Sequence, residues 1–380
     1  MDIAPAETEP LLRACLRLRI DPAGGGWIAA TLRDLGDAGG TLRAAIEAER
    51  IGPLLHKTVG QFVAPSAAAA LKESYYSTGV RNLLLRRQLG TVLQALAAAA
   101  VPTIVLKGAA LIETVYDNLS LRPMGDVDLL VRRADLAVTR QVLERLGYEV
   151  GRAETHPGAL TEYENEMAFR KPGRLDTWVD VHWSLFDSPY YQDRMPMDWF
   201  WDSARPATIG ETPSLVLGPD ALLIHLCGHL ALHHTSTGLL WWHDVAEVLT
   251  RQRDEIDWQV LLSRTSEYGL VLPVRSVLLR VADEWGAPIP LGVLQALRGM
   301  PESPAEQRIF AELTAEQRSP RQRFWSDLMS MSDWRQRWRF VRTNLFPSPA
   351  YMRRRYAIAH ALRVPLYYPY RWLRGALGLR

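Results

Sequence analysis

Residues 101–131 read VPTIVLKGAALIETVYDNLSLRPMGDVDLLV, and the rest of the chain is organised around this segment. It opens with an apolar, β-branched run from Val101 to Leu106 and then turns at Lys107-Gly108 into an alanine-rich segment. This change of pattern predicts a strand that leads into a helix through a glycine turn. Free backbone N–H groups at the start of that helix, with a lysine beside them, favour the binding of a phosphate.

The same stretch ends in two closely spaced aspartates. They belong to the segment Asp126-Val-Asp128-Leu-Leu-Val131, which has the composition of a strand. Strand alternation directs both carboxylates to one face and sends Val127 and Leu129 to the other. Two carboxylates side by side favour the binding of a cation.

A third candidate carboxylate lies further along the chain. Residues 177–185 read TWVDVHWSL, a second β-rich run in which Asp180 and His182 share one face. If this strand lies beside the first, three aspartates converge. Three carboxylates suit two divalent ions that bind the attacking and leaving oxygens of a phosphoryl or nucleotidyl transfer.

Taken in order along the chain, these residues resemble the uncharacterised nucleotidyltransferase family of the DNA polymerase β-like superfamily. The segments that carry the resemblance are Leu106-Lys107-Gly108, Arg122-Pro-Met-Gly-Asp126-Val-Asp128-Leu-Leu-Val131, Leu146-Gly147-Tyr148 and Val179-Asp180-Val-His182-Trp183. The resemblance implies an α/β (α+β) fold. We expect a small mixed β-sheet core of the nucleotidyltransferase type between helical N-terminal and C-terminal regions.

The resemblance also implies an activity, the transfer of a nucleotidyl group from an NTP to a hydroxyl or similar acceptor by a two-metal mechanism. Asp126 and Asp128 would bind both Mg²⁺ (or Mn²⁺) ions, and Asp180 would bind the ion that lowers the pKa of the acceptor. The nucleotide-binding residues would be Lys107, Gly108, Arg122 and His182. Lys107 stands beside the glycine turn and Arg122 just ahead of the acidic strand, which favours phosphate contacts for both.

The composition is typical of a globular protein with a sizeable core. Of the 380 residues, 48% are hydrophobic and 23% are charged. Cys15 and Cys227 give neither a disulfide framework nor a zinc pattern, which predicts a reducing compartment. The N-terminus lacks a signal sequence, and no apolar run is long enough to span a bilayer. We therefore expect a cytoplasmic protein without a transmembrane segment.

Changes in the hydrophobic period divide the chain into four regions. A helical N-terminal region is expected over 1–99, the nucleotidyltransferase core over 100–186, a helical domain over 187–320 and a basic, aromatic region over 321–380. Within the core, we expect a strand from Tyr163 to Arg170.

The overall charge of +2 hides an asymmetry. Residues 321–380 hold 13 arginines and no lysine against Asp327 and Asp333, which gives this region a net charge of +11. Three interpretations of the region remain open: a packed helical cap, a surface for nucleic acid or another acidic partner, and a peripheral membrane contact.

A row of histidines is the main rival to the aspartates. His225, His229 and His233 lie at i, i+4 and i+8 of a predicted helix, and His243-Asp244 follows on the next helix. The dipeptide resembles that of the His-Asp metal phosphohydrolases, although their full pattern also needs an earlier histidine and a later aspartate. The favoured interpretation is a packed helix that faces the catalytic cleft.

Two further functions remain as alternatives to nucleotidyl transfer. One is a metal-dependent phosphohydrolase at His229, His243 and Asp244, and the other is an inactive nucleotidyltransferase-like binding module. For the transferase, the sequence selects neither the NTP nor the acceptor. Small molecules, peptides and proteins offer suitable nucleophiles, and RNA is a less favoured acceptor.

Overall fold

A computed structural model describes residues 5–23, 25–35, 40–151, 156, 159–173, 176–315 and 319–376. The chain begins with helices, as the sequence predicts. They are α1 (Pro5–Arg17), α2 (Gly25–Leu35), α3 (Gly40–Glu49), α4 (Gly52–Thr58) and the long α5 (Pro65–Ala98).

Seven strands form one mixed sheet. They are β1 (Thr103–Val105), β2 (Val127–Val131), β3 (Glu149–Val150), β4 (Glu166–Lys171), β5 (Thr177–His182), β6 (Arg205–Ile209) and β7 (Thr212–Val216), in the spatial order β3-β4-β5-β2-β1-β7-β6. The pairs β2·β5 and β1·β7 are parallel, and the other four are antiparallel. The expected α/β fold with a small mixed sheet is confirmed.

The remaining helices surround this sheet and continue beyond it. They are α6 (Lys107–Leu111), α7 (Leu136–Arg145), α8 (Ala159–Tyr163), α9 (Pro189–Gln192), α10 (Met197–Asp202), α11 (Pro219–Gly228), α12 (Leu239–Arg251), α13 (Trp258–Glu267), α14 (Val271–Trp285), α15 (Leu291–Gly299), α16 (Pro304–Thr314), α17 (Pro320–Ser330), α18 (Trp334–Leu345), α19 (Pro349–Arg355) and α20 (Val364–Ala376). Two π-helical turns, Ile112–Tyr116 and His229–His233, extend α6 and α11. None of the described helices is long and apolar enough to cross a membrane.

The hairpin of β6 and β7 lies in the stretch 187–320, for which the sequence predicts helices alone. That expectation is wrong for these two strands. Each strand contains a proline, Pro206 in β6 and Pro213 in β7. Because proline is rare inside sheets except near an edge, the sequence pattern does not indicate strands here. Gly210 and Glu211 connect the strands, and their φ values of +55° and +66° match the turn that tight hairpins prefer.

The strand expected from Tyr163 to Arg170 is also shifted. Tyr163 ends α8, and β4 begins only at Glu166. The division of the chain into four regions stays a prediction.

Strand alternation separates two hydrophobic clusters, one on each face of the sheet. Leu129 and Val181 pack into the cluster that also contains residues of α5 and α7. Leu130, on the opposite face of β2, packs into the cluster formed with α11, α12 and α14. Because Asp128 shares its face with Leu130, the carboxylates lie on the side covered by the histidine-bearing helix α11.

Candidate active site

Two of the three aspartates lie side by side on neighbouring strands. β2 and β5 run parallel, and their register sets Asp128 opposite Asp180. Asp126 lies one residue ahead of β2 and is exposed. The expected pairing of the two strands is confirmed, and all three aspartates line one cavity.

Lys107 begins α6 directly after β1, in an unusual backbone conformation. Its φ of +45° lies in the left-handed region, which costs a residue with a side chain roughly 1 kcal/mol or more. The Lys107 Nζ atom lies 2.7 Å from Asp128 Oδ1. In this structure the lysine expected at the phosphate is therefore the counter-ion of a carboxylate.

His182 ends β5 and faces the same carboxylate. Its Nε2 atom lies 3.0 Å from Asp128 Oδ1, and its Nδ1 atom lies 3.1 Å from Glu166 Oε2. A proton on Nε2 allows this atom to donate a hydrogen bond to Asp128. Sequence reasoning missed Glu166, although β4 pairs with β5 so that Glu166 stands opposite His182.

The three aspartates differ in their protonation. Burial alone would raise the pKa of Asp128, but the Lys107 ammonium and the hydrogen bond from His182 hold that pKa well below its usual range. Burial and the negative charges of Asp128 and Glu166 raise the pKa of Asp180 to about 7. Although Asp126 is exposed as a whole residue, partial desolvation of its carboxyl group in the cavity and the negative charge of Asp128 raise its pKa. In the cavity as a whole, the four carboxylates of the aspartates and Glu166 outnumber the three basic side chains.

Arg122 has a different partner from the one expected. Its Nη2 atom lies 2.7 Å from Asp244 Oδ2, its Nε donates to both oxygens of that carboxylate, and its Nη1 donates to the Pro123 carbonyl. Both side chains are buried. All three guanidinium nitrogens thus have protein partners, so a phosphate contact of Arg122 stays a prediction that would require this ion pair to open.

The structure gives a packing reason for glycine at position 108, in addition to the predicted phosphate contact. A Cβ atom at this position would lie 2.1 Å from Arg122 Nη1 and 3.0 Å from its Cζ. Only glycine therefore allows Arg122 to cross the start of α6 and reach Asp244.

Helix α5 holds the loop that precedes the acidic strand. Asn82 donates to the carbonyl groups of Leu119 and Arg122 through its Nδ2 atom at 2.6 and 2.8 Å. Arg81 donates to the carbonyl groups of Met124 and Gly125. The sequence places both side chains in a helix, and it gives no signal that they reach a loop about 40 residues away.

Arg50 is a basic residue at the site that sequence reasoning missed. It is exposed, has a φ of +55° and lines the same cavity as Asp126. Burial of part of the side chain and the positive charge of Arg122 lower its pKa. Arg50 thus extends the positive side of the cavity that contains Lys107.

Two cavities meet at Lys107. The smaller, of about 150 Å³, contains the three aspartates, Gly108, Arg122 and Arg50. The larger, of about 360 Å³, lies between β4, the β5–α9 connection, the α11 end and α17. Lys107, Glu166, His229 and His233 line both cavities, which are therefore neighbours.

The chemistry of the aspartates fits Mg²⁺ or Mn²⁺, because both ions prefer carboxylate oxygens and the carboxylates of the cavity outnumber its basic side chains. Within the described ranges, no three His, Cys, Asp or Glu side chains are already arranged to hold a metal ion. Asp128 Oδ1 contacts both Lys107 and His182. Binding of an ion at this oxygen therefore requires Lys107 to move away.

The histidines form a stacked column beside the site. The rings of His225 and His229 are 5.9 Å apart, and those of His229 and His233 are 4.9 Å apart. The Nε2 atoms of His229 and His234 are 3.0 Å apart. The prediction of a packed helix that faces the cleft is confirmed for His229, which lines both cavities.

The rival phosphohydrolase centre is not assembled. Asp244 is buried, and its oxygens accept hydrogen bonds from Arg122 and Tyr116. The His243 Nδ1 atom lies 2.9 Å from the Tyr116 hydroxyl. Asp244 thus belongs to a structural network and does not line the cavity of His229.

Similarity to a solved protein is weak in both sequence and structure. An antigenic nucleotidyltransferase-like protein from Paracoccidioides brasiliensis is 14% identical, with a TM-score of 0.37, over 59% of this chain and 96% of its own. No curated protein matches the sequence.

A family model gives the clearer result. The model of the uncharacterised nucleotidyltransferases matches residues 40–286, which is more than half of the chain and includes the whole sheet. The matched range also contains the Lys107-Gly108 turn and the three aspartates. The chain therefore belongs to the uncharacterised nucleotidyltransferase family.

Proposed function

We propose that this protein transfers a nucleotidyl group from an NTP to a hydroxyl or similar acceptor, with Mg²⁺ or Mn²⁺ as cofactor. One observation carries the proposal: the register of β2 and β5 sets Asp128 beside Asp180, in a cavity that also contains Lys107 and Gly108. Membership of the family supports the class of reaction.

The three aspartates would bind the two metal ions in different ways. Asp126 and Asp128 would hold both ions, and Asp180 would hold the one nearer the acceptor. When bound, the ions neutralise the charge of the triphosphate and lower the pKa of the acceptor hydroxyl. His182 positions the Asp128 carboxylate through its hydrogen bond.

The transfer forms one bond and breaks another at the α-phosphorus of the NTP. The acceptor oxygen attacks this phosphorus, the bond to the pyrophosphate oxygen breaks, and pyrophosphate leaves. The proton of the hydroxyl passes to Asp180, the carboxylate nearest the acceptor.

Lys107 would exchange partners when the NTP binds. Its ammonium leaves Asp128 for a phosphate oxygen, which frees the carboxylate for the cation. The Gly108 N–H at the start of α6 and the nearby Arg50 supply further contacts to the phosphates. Arg122 would contribute mainly through the field of its charge, because Asp244 holds its guanidinium.

Label transfer tests the proposal directly. The full chain is incubated with Mg²⁺, each α-labelled NTP in turn and a lysate of the source cells. We expect one fraction of the lysate to acquire label with the wild type and with the exposed-site control Asp198→Asn, but not with Asp126→Asn or Asp128→Asn. Equal labelling by either of these two variants contradicts the assignment. Binding of Mg·NTP without any labelling would indicate the inactive binding module.

A further inference from the structure

The larger cavity adjoins the smaller one that contains the aspartates. It shares Lys107, Glu166, His229 and His233 with the smaller cavity, so a molecule inside it lies next to the carboxylate cluster. Its volume of about 360 Å³ is within the range of pockets that bind small molecules.

Acidic side chains dominate the charge of this larger cavity. Four carboxylates line it: Glu164, Glu166, Asp187 and Asp327. Its cations are Arg323 and Lys107. Arg323 lies 2.6 Å from Asp187, 3.9 Å from Asp327 and 4.0 Å from Glu164, and Lys107 is paired with Asp128 outside this lining. Burial lowers the pKa of His229 and His233, so these rings are neutral at pH 7 and do not offset the carboxylates.

The two cavities suit different substrates, because the smaller one combines carboxylates that would hold metal ions with basic residues that would contact phosphates. Lys107, Arg50 and Gly108 at the smaller cavity suit the phosphates of an NTP. The carboxylates of the larger cavity would repel a triphosphate and attract a cation.

We infer that the larger cavity binds the acceptor of the transfer, and that this acceptor is a small hydroxyl compound with a protonated amine, such as an amino sugar. The inference rests on the proposed function only for the role of acceptor. Cation binding in the cavity is independent of nucleotidyl transfer. The amine lies among the carboxylates, which leaves a hydroxyl group free to face the smaller cavity.

Matched sugars that differ in charge test this inference. Saturation-transfer NMR with the full chain, without nucleotide, compares glucosamine, N-acetylglucosamine and glucose 6-phosphate. We expect glucosamine to bind about tenfold more tightly than the acetylated sugar, the size of one charge-assisted contact. Equal or tighter binding of the neutral or anionic sugar, or no binding of glucosamine, overturns the inference.

Two variants with opposite effects separate charge from structure. Asp187→Asn should weaken glucosamine binding, whereas Arg323→Gln should strengthen it. The control Glu73→Gln, on the exposed side of α5, should change neither. Effects of the same sign in the first two variants contradict the charge argument. Separate calorimetry with Mg·NTP shows whether the proposed function fails while the cation site stands.

A different surface, on the C-terminal helices, carries a second inference independently. Many large apolar side chains of this region are exposed. They are Trp325, Met329, Trp334, Trp338, Leu345, Phe346, Leu362, Leu366, Tyr370, Trp372 and Leu373. On α18, Trp334, Trp338 and Leu345 follow one stripe, and the guanidinium groups of Arg335 and Arg342 lie over the two tryptophan rings.

Helix α20 continues this surface. Leu366, Tyr370 and Leu373 lie at i, i+4 and i+7 and are exposed. Trp372 on the same helix donates from Nε1 to the Leu345 carbonyl at 2.7 Å, which joins α20 to the end of α18.

We also propose that α18 and α20 dock on an anionic lipid surface. The net charge of +11 over residues 321–380 complements anionic headgroups, and the exposed aromatic side chains suit the membrane interface. The exposed leucines favour lipid over nucleic acid as the partner of this surface. Transfer of the Leu366 and Leu373 side chains from water to lipid hydrocarbon is favourable, but these side chains cannot stack on bases in the way that aromatic rings do.

Flotation with vesicles tests this surface. The full chain should bind vesicles of phosphatidylcholine and phosphatidylglycerol in equal parts, and bind vesicles of phosphatidylcholine alone much more weakly. The double variant Trp338→Ala/Leu373→Ala should lose most of this binding, whereas Trp27→Ala, a matched exposed tryptophan on α2, should retain it. Equal binding to both kinds of vesicle, retention by the double variant, or complete displacement by RNA refutes lipid docking.

Discussion

Asp180 differs from the other two aspartates in its electrostatic surroundings. Asp128 faces Lys107, while Asp180 faces mainly carboxylates, and its pKa rises to about 7. Without a bound cation, Asp180 therefore holds a proton more readily than Asp128 does, and a cation bound to Asp180 would lower its pKa again. The two residues are neighbours in the sheet and yet suit different tasks.

The first prediction separates binding from chemistry at Asp180. Asp180→Asn should keep an NTP affinity within a few-fold of the wild type, because Asp126, Asp128 and the phosphate contacts remain. Turnover should become nearly undetectable, since loss of a metal-activated nucleophile costs several kcal/mol of transition-state stabilisation. Calorimetry with Mg·NTP and label transfer measure the two quantities. Normal turnover by Asp180→Asn would refute the three-carboxylate mechanism.

The second prediction concerns the exchange of partners by Lys107. Lys107→Met keeps most of the length of the side chain and removes its charge, so NTP affinity should fall by about 1.5–3 kcal/mol through the loss of one charge-assisted contact. Lys72→Met, at an exposed position on α5, is the matched control and should bind as the wild type does. Unchanged affinity by calorimetry in Lys107→Met would remove Lys107 from the phosphate site.

At this scale the sequence predicts the carboxylates better than their basic partners. Strand alternation is a local rule, and it is sufficient to place Asp128 with Asp126, and Asp180 with His182, on one face of each strand. The partner of Arg122 is Asp244, 122 residues further along the chain. Such a pairing depends on how α12 packs against the loop, and no local pattern encodes it.

At the scale of elements, the turn from β1 to α6 combines two demands. The chain must bring Lys107 to Asp128, and it must leave room for Arg122 to cross Gly108. A missing Cβ atom satisfies the second demand, so the glycine of the predicted phosphate turn also supports a buried ion pair.

The third prediction tests this close approach. Gly108→Ala places a methyl group 2.1 Å from the Arg122 Nη1 position, which should displace the guanidinium from Asp244 and destabilise the fold by about 1–3 kcal/mol. Gly125→Ala is the control, because its Cβ atom would meet Arg50 at an ordinary 3.7 Å. Urea unfolding of both variants gives the comparison.

A double-mutant cycle then identifies the cause. If Gly108→Ala acts through the ion pair, its cost should shrink in an Asp244→Asn background, where the pair is already weakened. Additive costs would show that the methyl group acts on another contact.

Helices and strands with a regular hydrophobic period could be predicted from the sequence. The two strands that contain proline could not. The strands β2 and β5 and the long helix α5 follow their hydrophobic patterns. The hairpin of β6 and β7 carries a proline in each strand, and β7 reaches the sheet only by pairing with β1, more than 100 residues earlier. That pairing is a tertiary fact which the local sequence does not contain.

At the scale of the whole molecule, the layer of helices over the acidic face places buried histidines close to the site. His225 on α11 is fully buried between the rings of Phe186 and His229. Among the described residues, neither of its ring nitrogens has a hydrogen-bond partner. Burial, with the positive charge of Lys107, lowers the pKa of His225 well below its usual value.

The last prediction follows from this lowered pKa. The unfolded chain binds a proton at His225 below about pH 6.5, whereas the folded chain does not, so this residue's contribution to stability is present above pH 6.5 and is lost as the pH falls. His225→Leu should match or exceed the wild-type free energy of unfolding at pH 7, because no hydrogen bond to a described residue is lost. Between pH 7 and pH 5 the variant should gain roughly 2 kcal/mol on the wild type, which is the linkage of one proton over that range. Urea unfolding across this range, with the exposed-site variant His360→Gln as control, measures the difference. A constant difference between His225→Leu and the wild type would mean that His225 is protonated equally in the folded and unfolded chains.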